Sequence, residues 1–332
     1  MAALRFFFYL LMKPAALGMA FIGISGVFAP YTNPNSWWIP AFSGLFMPGI
    51  IFANLYLFIF WAIHRKLWVL LPFITIVCNY NFFTGMFQSP WKEDISYAKG
   101  DEITIASYNV EGFFWIARNV KYDIKQIVED HHIDILCIQE HCEAPQQDSI
   151  AIKERFGLPF RCEFFNRKEA WANFGLTIYS RYPIIRHGKI DFNSSKNNSM
   201  WADILIKGDT VRVFNNHLQT TDVSINSEKY EKYKSVKDWK GQARTLVTIL
   251  EQLKDNFTIR ACQSIQVRQI IDTTHYPVII CGDFNDTPVS FAYNHIAGHD
   301  LTDGFRDRGK GYGHSFNGIK GLLRIDFISY NQ

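Results

Sequence analysis

The sequence predicts a mixed α/β domain preceded by three transmembrane α-helices. Three observations carry that reading. The first 91 residues contain no acidic side chain, strand-like and helix-like runs alternate behind them, and acidic or amide residues stand where the apolar strands run out.

The 332-residue chain has 34 basic and 31 acidic residues, and its 48% hydrophobic and 16% aromatic content permits a sizeable core. The averages hide a division. Up to Trp91 the fixed charges are Arg5, Lys13, Arg65 and Lys66, so this segment carries +4. The remaining 30 basic and 31 acidic residues leave −1, and the pI near 8.4 is therefore set by the leading segment. A near-neutral remainder gives no support to a broadly basic nucleic-acid-binding surface.

Residues 67–87 and 41–63 hold no charge inside the apolar run and are about long enough to cross ~30 Å of hydrocarbon at 1.5 Å per residue. Residues 4–28 are also apolar but are interrupted by Lys13 and Pro14, which predicts a helix beginning at Pro14 with Lys13 snorkelling to the headgroups. A cleaved signal peptide is the alternative for this first stretch, against which stands the lack of a clear small-residue cleavage site. Buried core helices are the alternative for all three. His64, Arg65 and Lys66 lie between Trp61 and Trp68, which predicts a tight cytoplasmic turn with interfacial aromatic anchors. The uncharged loop with Asn33, Asn35, Trp37 and Trp38 then lies outside. Three crossings deliver the following domain to the extracytoplasmic side, making the protein integral to the membrane with the lipid bilayer as a partner. No feature points to an obligate protein partner.

The predicted organisation is a transmembrane anchor over residues 1–88, a linker over 89–101 and a catalytic domain over 102–332. Strands are expected at ITIASYN (103–109), DILCIQE (134–140), FGLTIYS (174–180), VRVFNNHL (211–218), PVIICGDF (277–284) and LRIDFIS (323–329). Helices are expected at about 117–130, 238–254 and 260–273. Residues 222–238 read as a polar insertion. Cys137 and Cys281 fall in apolar strand-like runs. Cys142, Cys162 and Cys262 leave room for one disulfide, but the spacing matches neither a disulfide scaffold nor a zinc site.

Asn109 and Glu111 follow the first of these strands, Glu140 ends the second, His217 lies near the end of another, and Asp283 and Asn285 end PVIICGDFN. Carboxylates and amides at converging strand ends gather hard oxygen ligands for Mg²⁺ and hydrogen bonds for phosphate without burying an unpaired charge. Isolated acidic residues at strand ends are more often caps or turn formers, so the signal is the array. Ser180 lacks the flanking signature of a hydrolase nucleophile, and His131, His132 and His141 read as surface histidines.

With SYNVEG (107–112), CIQE (137–140), GLTIYSRYPI (175–184), NHL (216–218), GDFNDTP (282–288) and RIDFIS (324–329) in this order, the sequence from about residue 102 onward resembles the endonuclease/exonuclease/phosphatase family. GDFND is its most specific element. The resemblance implies a two-sheet α/β sandwich flanked by helices, with strand ends forming one metal-containing cleft. It implies that Glu140 is the principal ligand of Mg²⁺, with Mn²⁺ as substitute. Asn109 then lies near metal and phosphate, and Glu111 is a second acidic metal-site residue. Asp283 orients or deprotonates the attacking water, Asn285 binds phosphate, and His217 stabilises its charge or assists proton transfer. Asp326 matches the carboxylate that orients a catalytic histidine. The family's Ser-Asp-His tripeptide is absent, which predicts either a C-terminally incomplete chain or a degenerate member. The implied function is metal-dependent hydrolysis of a phosphate ester: a lipid headgroup, nucleotide or nucleic acid. The competing class is an inactive membrane protein that binds phosphate ligands in the same cleft.

Overall fold

The computed structural model describes residues 2–93, 102–113, 124–143, 156–169, 172–192, 195–221, 232, 234, 238–317 and 321–331. The leading segment is helical but not three plain rods. Helix α1 (Ala2–Val27) runs unbroken through Pro14, so it does not begin there as the sequence predicts. It is followed by α2 (Ile39–Leu45) and α3 (Met47–Ile63), bent by 79° to one another, each with a proline in its first turn where the missing N–H has no intrahelical partner to lose. A 3₁₀ turn leads into α4 (Leu70–Cys78), which meets α5 (Tyr80–Met86) at a 47° bend around residues 67–86. Among the described residues, one helix is long and apolar enough by itself to cross a membrane, and three spans result only if each bent pair is one span. The expected continuous second and third helices are thus corrected to broken ones.

Buried polar side chains tie these helices together, as expected where apolar contact alone gives little specificity. Asn79, at the second bend, donates to the carbonyls of Gly23 at 2.9 Å and Thr75 at 2.8 Å. The Ser25 and Ser43 hydroxyls meet at 2.7 Å.

Beyond the short strand β1 (Phe87–Gln88) the chain forms two facing sheets. The first holds β2 (Ile105–Asn109), β3 (Ile135–Glu143), β4 (Phe160–Lys168) and β5 (Asn173–Ser180) in the order β2-β3-β5-β4. The second holds β6 (Ile184–Asp191), β7 (Asn198–Ile206), β8 (Asp209–His217), β9 (Val278–Asp283), β10 (Thr302–Asp303) and β12 (Asp326–Tyr330) in the order β10-β12-β9-β8-β7-β6. β11 (Gly311–Tyr312) pairs with β1. Between the sheets Ile135, Leu176 and Ile178 pack on Met200, Ile204 and Val213. Outside them, α6 (Ile124–Asp130) covers the first sheet through Val128, and α7 (Trp239–Asp272) covers the second through Val267 and Ile271.

Helices expected at 238–254 and 260–273 are one 34-residue helix, α7. The intervening DNFTI supplies Asn256 and Phe257 to the buried face, so packing carries the helix through a polar, β-branched stretch of weak propensity. Strands β4, β6 and β7, like the two-residue β1, β10 and β11, lie outside the predicted set. FRCEFFNRK and IIRHGKID are too charged to read as buried runs, and their pairing with β5 and β7 holds them in place. The predicted helix at 117–130 is described from Ile124 on, and most of the 222–238 insertion lies outside the described residues. None of the six cysteines forms a disulfide in this structure, so the expected option of one is not used.

The leading helices do not stand apart from the α/β domain. Ala41 and Leu45 of α2 pack against Leu253 and Phe257 of α7, and Met47, Ile50, Phe82 and Met86 enclose Val289. The Thr287 hydroxyl donates to the Gly44 carbonyl at 3.3 Å, and Arg324 Nη1 donates to the Gly85 carbonyl at 2.9 Å. Residues 94–101 of the predicted linker lie outside the described residues. The loop after β9, which carries the GDFNDTP motif, is therefore in direct contact with the helical segment.

Candidate active site

Strand register assembles the site. His217 ends β8 and pairs with Asp283 at the end of the parallel β9, which pairs in turn with Asp326 at the start of antiparallel β12. Three of the candidate site residues thus share one row across the second sheet. Gly282 permits this row: its φ is +139°, and a Cβ there would lie 2.0 Å from the Asn216 carbonyl oxygen.

The first sheet supplies the facing wall. The β3–β5 register shifts between Ile138 and His141, and within this bulge Glu140 takes a left-handed φ of 52°. The extra residue re-aims the carboxylate toward the cleft. Asn285 has the same φ of 52° and Glu111 one of 47°, so strained backbone gathers around the site. Behind it, Gln139 Nε2 donates to Asn215 Oδ1 at 2.7 Å, and Asn215 Nδ2 donates to the carbonyls of Ile138 and Thr177 at 3.0 Å. These buried amides lock the two sheets in register.

Asn109 joins the walls. Its Nδ2 donates to Glu140 Oε1 at 3.1 Å and to Asp283 Oδ2 at 3.0 Å, while its Oδ1 accepts the Glu111 backbone N–H at 3.0 Å. Asp283 Oδ1 accepts the backbone N–H of Asn285 at 2.8 Å, and the Asn285 side-chain amide donates to the Leu218 carbonyl at 3.1 Å. His217 Nε2 lies 3.6 Å from Glu140 Oε1, beyond hydrogen-bond reach, and is a buried polar atom without a hydrogen-bond partner. Glu140 and His217 open onto a cleft of about 540 Å³, lined also by Lys196, Asn198, Gln219 and, from α7, Gln252 and Asn256.

Burial raises the Asp283 carboxyl above the usual carboxylate range, against the opposing pull of His217, Asn109 and the Asn285 amide. Burial, then the charge of Asp283, pushes Asp326 up to about 7, while Ser315 and Arg324 act the other way. Because the folded-state value exceeds that of the open chain, the fold holds this proton more tightly. The stability linked to it is full below about pH 4 and is lost as pH rises through the folded value. Thermal melting should accordingly fall between about pH 5 and pH 8, and Asp326→Asn should flatten that slope. Parallel slopes in the two proteins would clear Asp326 as the cause.

The structure brings Asn109, Glu140, His217 and Asp283 together, sets Asp326 beside Asp283, and turns the Asn285 backbone toward Asp283. Glu111 differs from expectation: its carboxylate is exposed and without a partner among the described residues, and only its backbone N–H joins the cluster. Asp326 has no histidine on its carboxylate among the described residues, and its backbone N–H donates to the Ser315 hydroxyl at 3.0 Å. His141, read as a surface residue, is buried in β3 with Nδ1 2.5 Å from the Thr177 hydroxyl. Its ring lies against Phe113 and Tyr179, so the bulge has turned it to the helix-covered face of the first sheet, whereas alternation from Ile135 and Cys137 would have placed it between the sheets.

One central pair escaped the sequence reading. Arg260 of α7 and Asp286 are both buried, with Nε 2.9 Å from Oδ2. Arg260 Nη1 also donates to the Gln219 carbonyl at 2.9 Å and the Thr221 hydroxyl at 2.8 Å. The arginine thereby holds the loops after β8 and β9 together. The signal was an acidic residue in GDFNDTP with no role in the chemistry.

The donor set suits a hard divalent cation. Among the described residues no three His, Cys, Asp or Glu side chains converge as a closed cage. Mg²⁺, however, takes one or two carboxylates and keeps several waters. Glu140, 37% exposed at the cleft mouth and hydrogen-bonded to an amide, meets that requirement.

The Endonuclease/Exonuclease/phosphatase family profile matches residues 106–331, and the chain belongs to this family. Its members are hydrolases acting on phosphodiester bonds and generally use divalent metal ions. A second profile, a domain of unknown function (DUF8431), matches residues 5–86. No curated protein sequence matches the chain. Among solved structures, an endonuclease/exonuclease/phosphatase family protein from Leptotrichia buccalis aligns at 14% identity over 70% of this chain and 88% of its own, with a TM-score of 0.49. Sphingomyelinase C from Streptomyces griseocarneus aligns at 16% identity over 69% and 84%, with a TM-score of 0.46. Humanized D. rerio TDP2 aligns at 15% identity over 69% and 83%, with a TM-score of 0.45.

Proposed function

We propose that this chain is a membrane-tethered, divalent-metal-dependent phosphoesterase. The observation that carries the reading is the meeting of Asn109, Glu140, His217 and Asp283 from the strand ends of both sheets, with Glu140 and His217 lining the cleft. Glu140 would hold Mg²⁺ or Mn²⁺, with Asn109, whose Nδ2 faces Glu140 and Asp283, beside the ion and Glu111 as the outlying acidic neighbour. The cation supplies Lewis-acid stabilisation of the phosphate charge.

The remaining chemistry belongs to the side chains. Asp283, its carboxyl raised by burial, accepts the proton of the attacking water as the new P–O bond forms; the ester P–O bond breaks and the leaving oxygen departs as the alcohol, taking a proton from solvent. Asn109 and the Asn285 backbone orient that carboxylate. His217 Nε2, buried and unpaired, is available to the phosphate oxygen on which charge develops. Asn285 Nδ2 keeps a second hydrogen for a phosphate oxygen beyond its bond to Leu218. Burial, with the nearby charge of Glu140, keeps Asp283 basic, and Asp326 stands beside it in the strand register.

Purified full-length protein offered a panel of nucleotides, oligonucleotides and phospholipid headgroup esters should hydrolyse at least one with Mg²⁺ or Mn²⁺ and stop on chelation. Metal-independent turnover, or phosphate-ligand binding with no turnover across the panel, would overturn the reading.

The same proposal makes the protein integral to a membrane with its catalytic domain on the extracytoplasmic side. Tyr9 packs on Trp61 and His64 at 5.9 and 5.2 Å, and Lys13 Nζ lies 5.7 Å from the Trp68 ring. Lys13 therefore shares an end of the bundle with Arg65 and Lys66, whereas Gly44 and Gly85 contact the catalytic domain at the other. Clustered cations favour the cytoplasmic face. Protease added to sealed right-side-out vesicles should digest the catalytic domain; protection until detergent is added would reverse the topology.

A further inference from the structure

We propose that the exposed apolar face on the N-terminal half of α7 is a second membrane contact, which seats the catalytic domain on the lipid surface. The inference rests on the reading that the leading helices enter a bilayer. Trp239, Leu246, Val247 and Leu250 are 79%, 46%, 54% and 39% exposed. Positions 239, 246 and 250, with 247 beside them, fall on one side of a helix of 3.6 residues per turn. From Trp239 to Leu250 the ionised residues are Lys240 and Arg244 alone, both exposed. Large apolar groups flanked by cations are the pattern of a helix lying in the interface of an anionic membrane.

Continuity with the membrane segment selects the bilayer as occupant. One turn further along α7, Leu253 and Phe257 pack on Ala41 and Leu45 of α2, with Ile249 and Phe42 beside them. Helix α2 meets α3 at 79°, so when α3 stands across the bilayer α2 lies close to the membrane plane. A helix packed on α2 then runs at the lipid boundary, next to the exposed Trp37 and Phe46. Gln252, Asn256 and Ile259 of the same helix line the cleft, so this seating opens the cleft beside the lipid surface.

The test uses the full chain in liposomes of mixed zwitterionic and anionic phospholipids, with the exposed Cys78 and Cys262 replaced by serine. Nitroxide labels are placed singly by Val247→Cys, by Phe52→Cys on α3 and by Asp209→Cys in the exposed β7–β8 hairpin. Each is probed for collision with oxygen, which concentrates in lipid, and with a water-soluble nickel chelate. The oxygen-to-chelate ratio at 247 should match that at 52 and exceed that at 209 by about threefold or more. Leu246→Ser with Leu250→Ser should lower it toward the value at 209 without unfolding the protein, since both are surface positions. Lipid exposure at 52 with water exposure at 247 overturns the second contact alone, whereas water exposure at both removes the membrane reading with it. Spin–spin broadening between labels at 247 would assign the face to a second copy and likewise overturn the proposal.

Discussion

Asp283→Asn and Glu140→Gln should each lower metal-dependent phosphoester hydrolysis by roughly 10³-fold while leaving the melting temperature nearly unchanged. The two act differently. Glu140 loses the charge that attracts a cation, at a position already partly open to water, so the fold has little at stake. At 283 the amide oxygen still accepts the Asn285 N–H, now held at 2.8 Å, but the new amide nitrogen faces the Asn109 amide that donates at 3.0 Å. One hydrogen bond is lost, and relief of a buried charge offsets it, because burial was already pushing that carboxyl toward its neutral form. Metal titration separates them: Glu140→Gln should raise the Mg²⁺ concentration needed for residual turnover, and Asp283→Asn should leave it in place. Near-normal turnover in either folded variant would dissolve the proposed site.

Arg260→Met should be among the most destabilising substitutions in the α/β domain, by about 3–5 kcal/mol, because it leaves a buried carboxylate without its partner. Asp286 is already raised by burial, and the charge of Arg260 beside it is the main pull the other way. The same change frees the Gln219 carbonyl and the Thr221 hydroxyl, so the loops after β8 and β9 lose their common tether. Adding Asp286→Asn should restore much of the loss, since the amide still accepts the Thr287 N–H, a 2.9 Å bond here, and no charge remains. Denaturant melts of the two single variants and the double give the coupling directly. Additive losses would show that the pair acts as two independent residues.

The residues of the site were legible in the sequence because each sits where an apolar run ends in a polar one, and strand ends in a packed sheet converge. Asn109, Glu140, His217 and Asp283 fall together on this logic. Asp326 was legible as a carboxylate on a buried strand, but its neighbour was not. The antiparallel register that sets it beside Asp283 depends on residues more than forty positions away. Glu111 was read from the family resemblance, and with positive φ at 111–113 its side chain stands exposed in this structure. The bulge that aims Glu140 has no local signature, since it arises from a mismatch between β3 and β5.

By itself the sequence determined the alternation of elements, the order of polar strand ends and the division between an acid-free apolar segment and an α/β domain. These follow from composition and short-range periodicity, which act within a few residues. Only the tertiary structure decided that α7 is one helix, that two of the apolar segments are bent at 79° and 47°, and that Arg260 reaches Asp286. It alone decided that Gly44 and Gly85 touch the α/β half of the chain. Each of these depends on contacts between segments distant in sequence, where burial and hydrogen-bond pairing outweigh local propensity by a few kcal/mol.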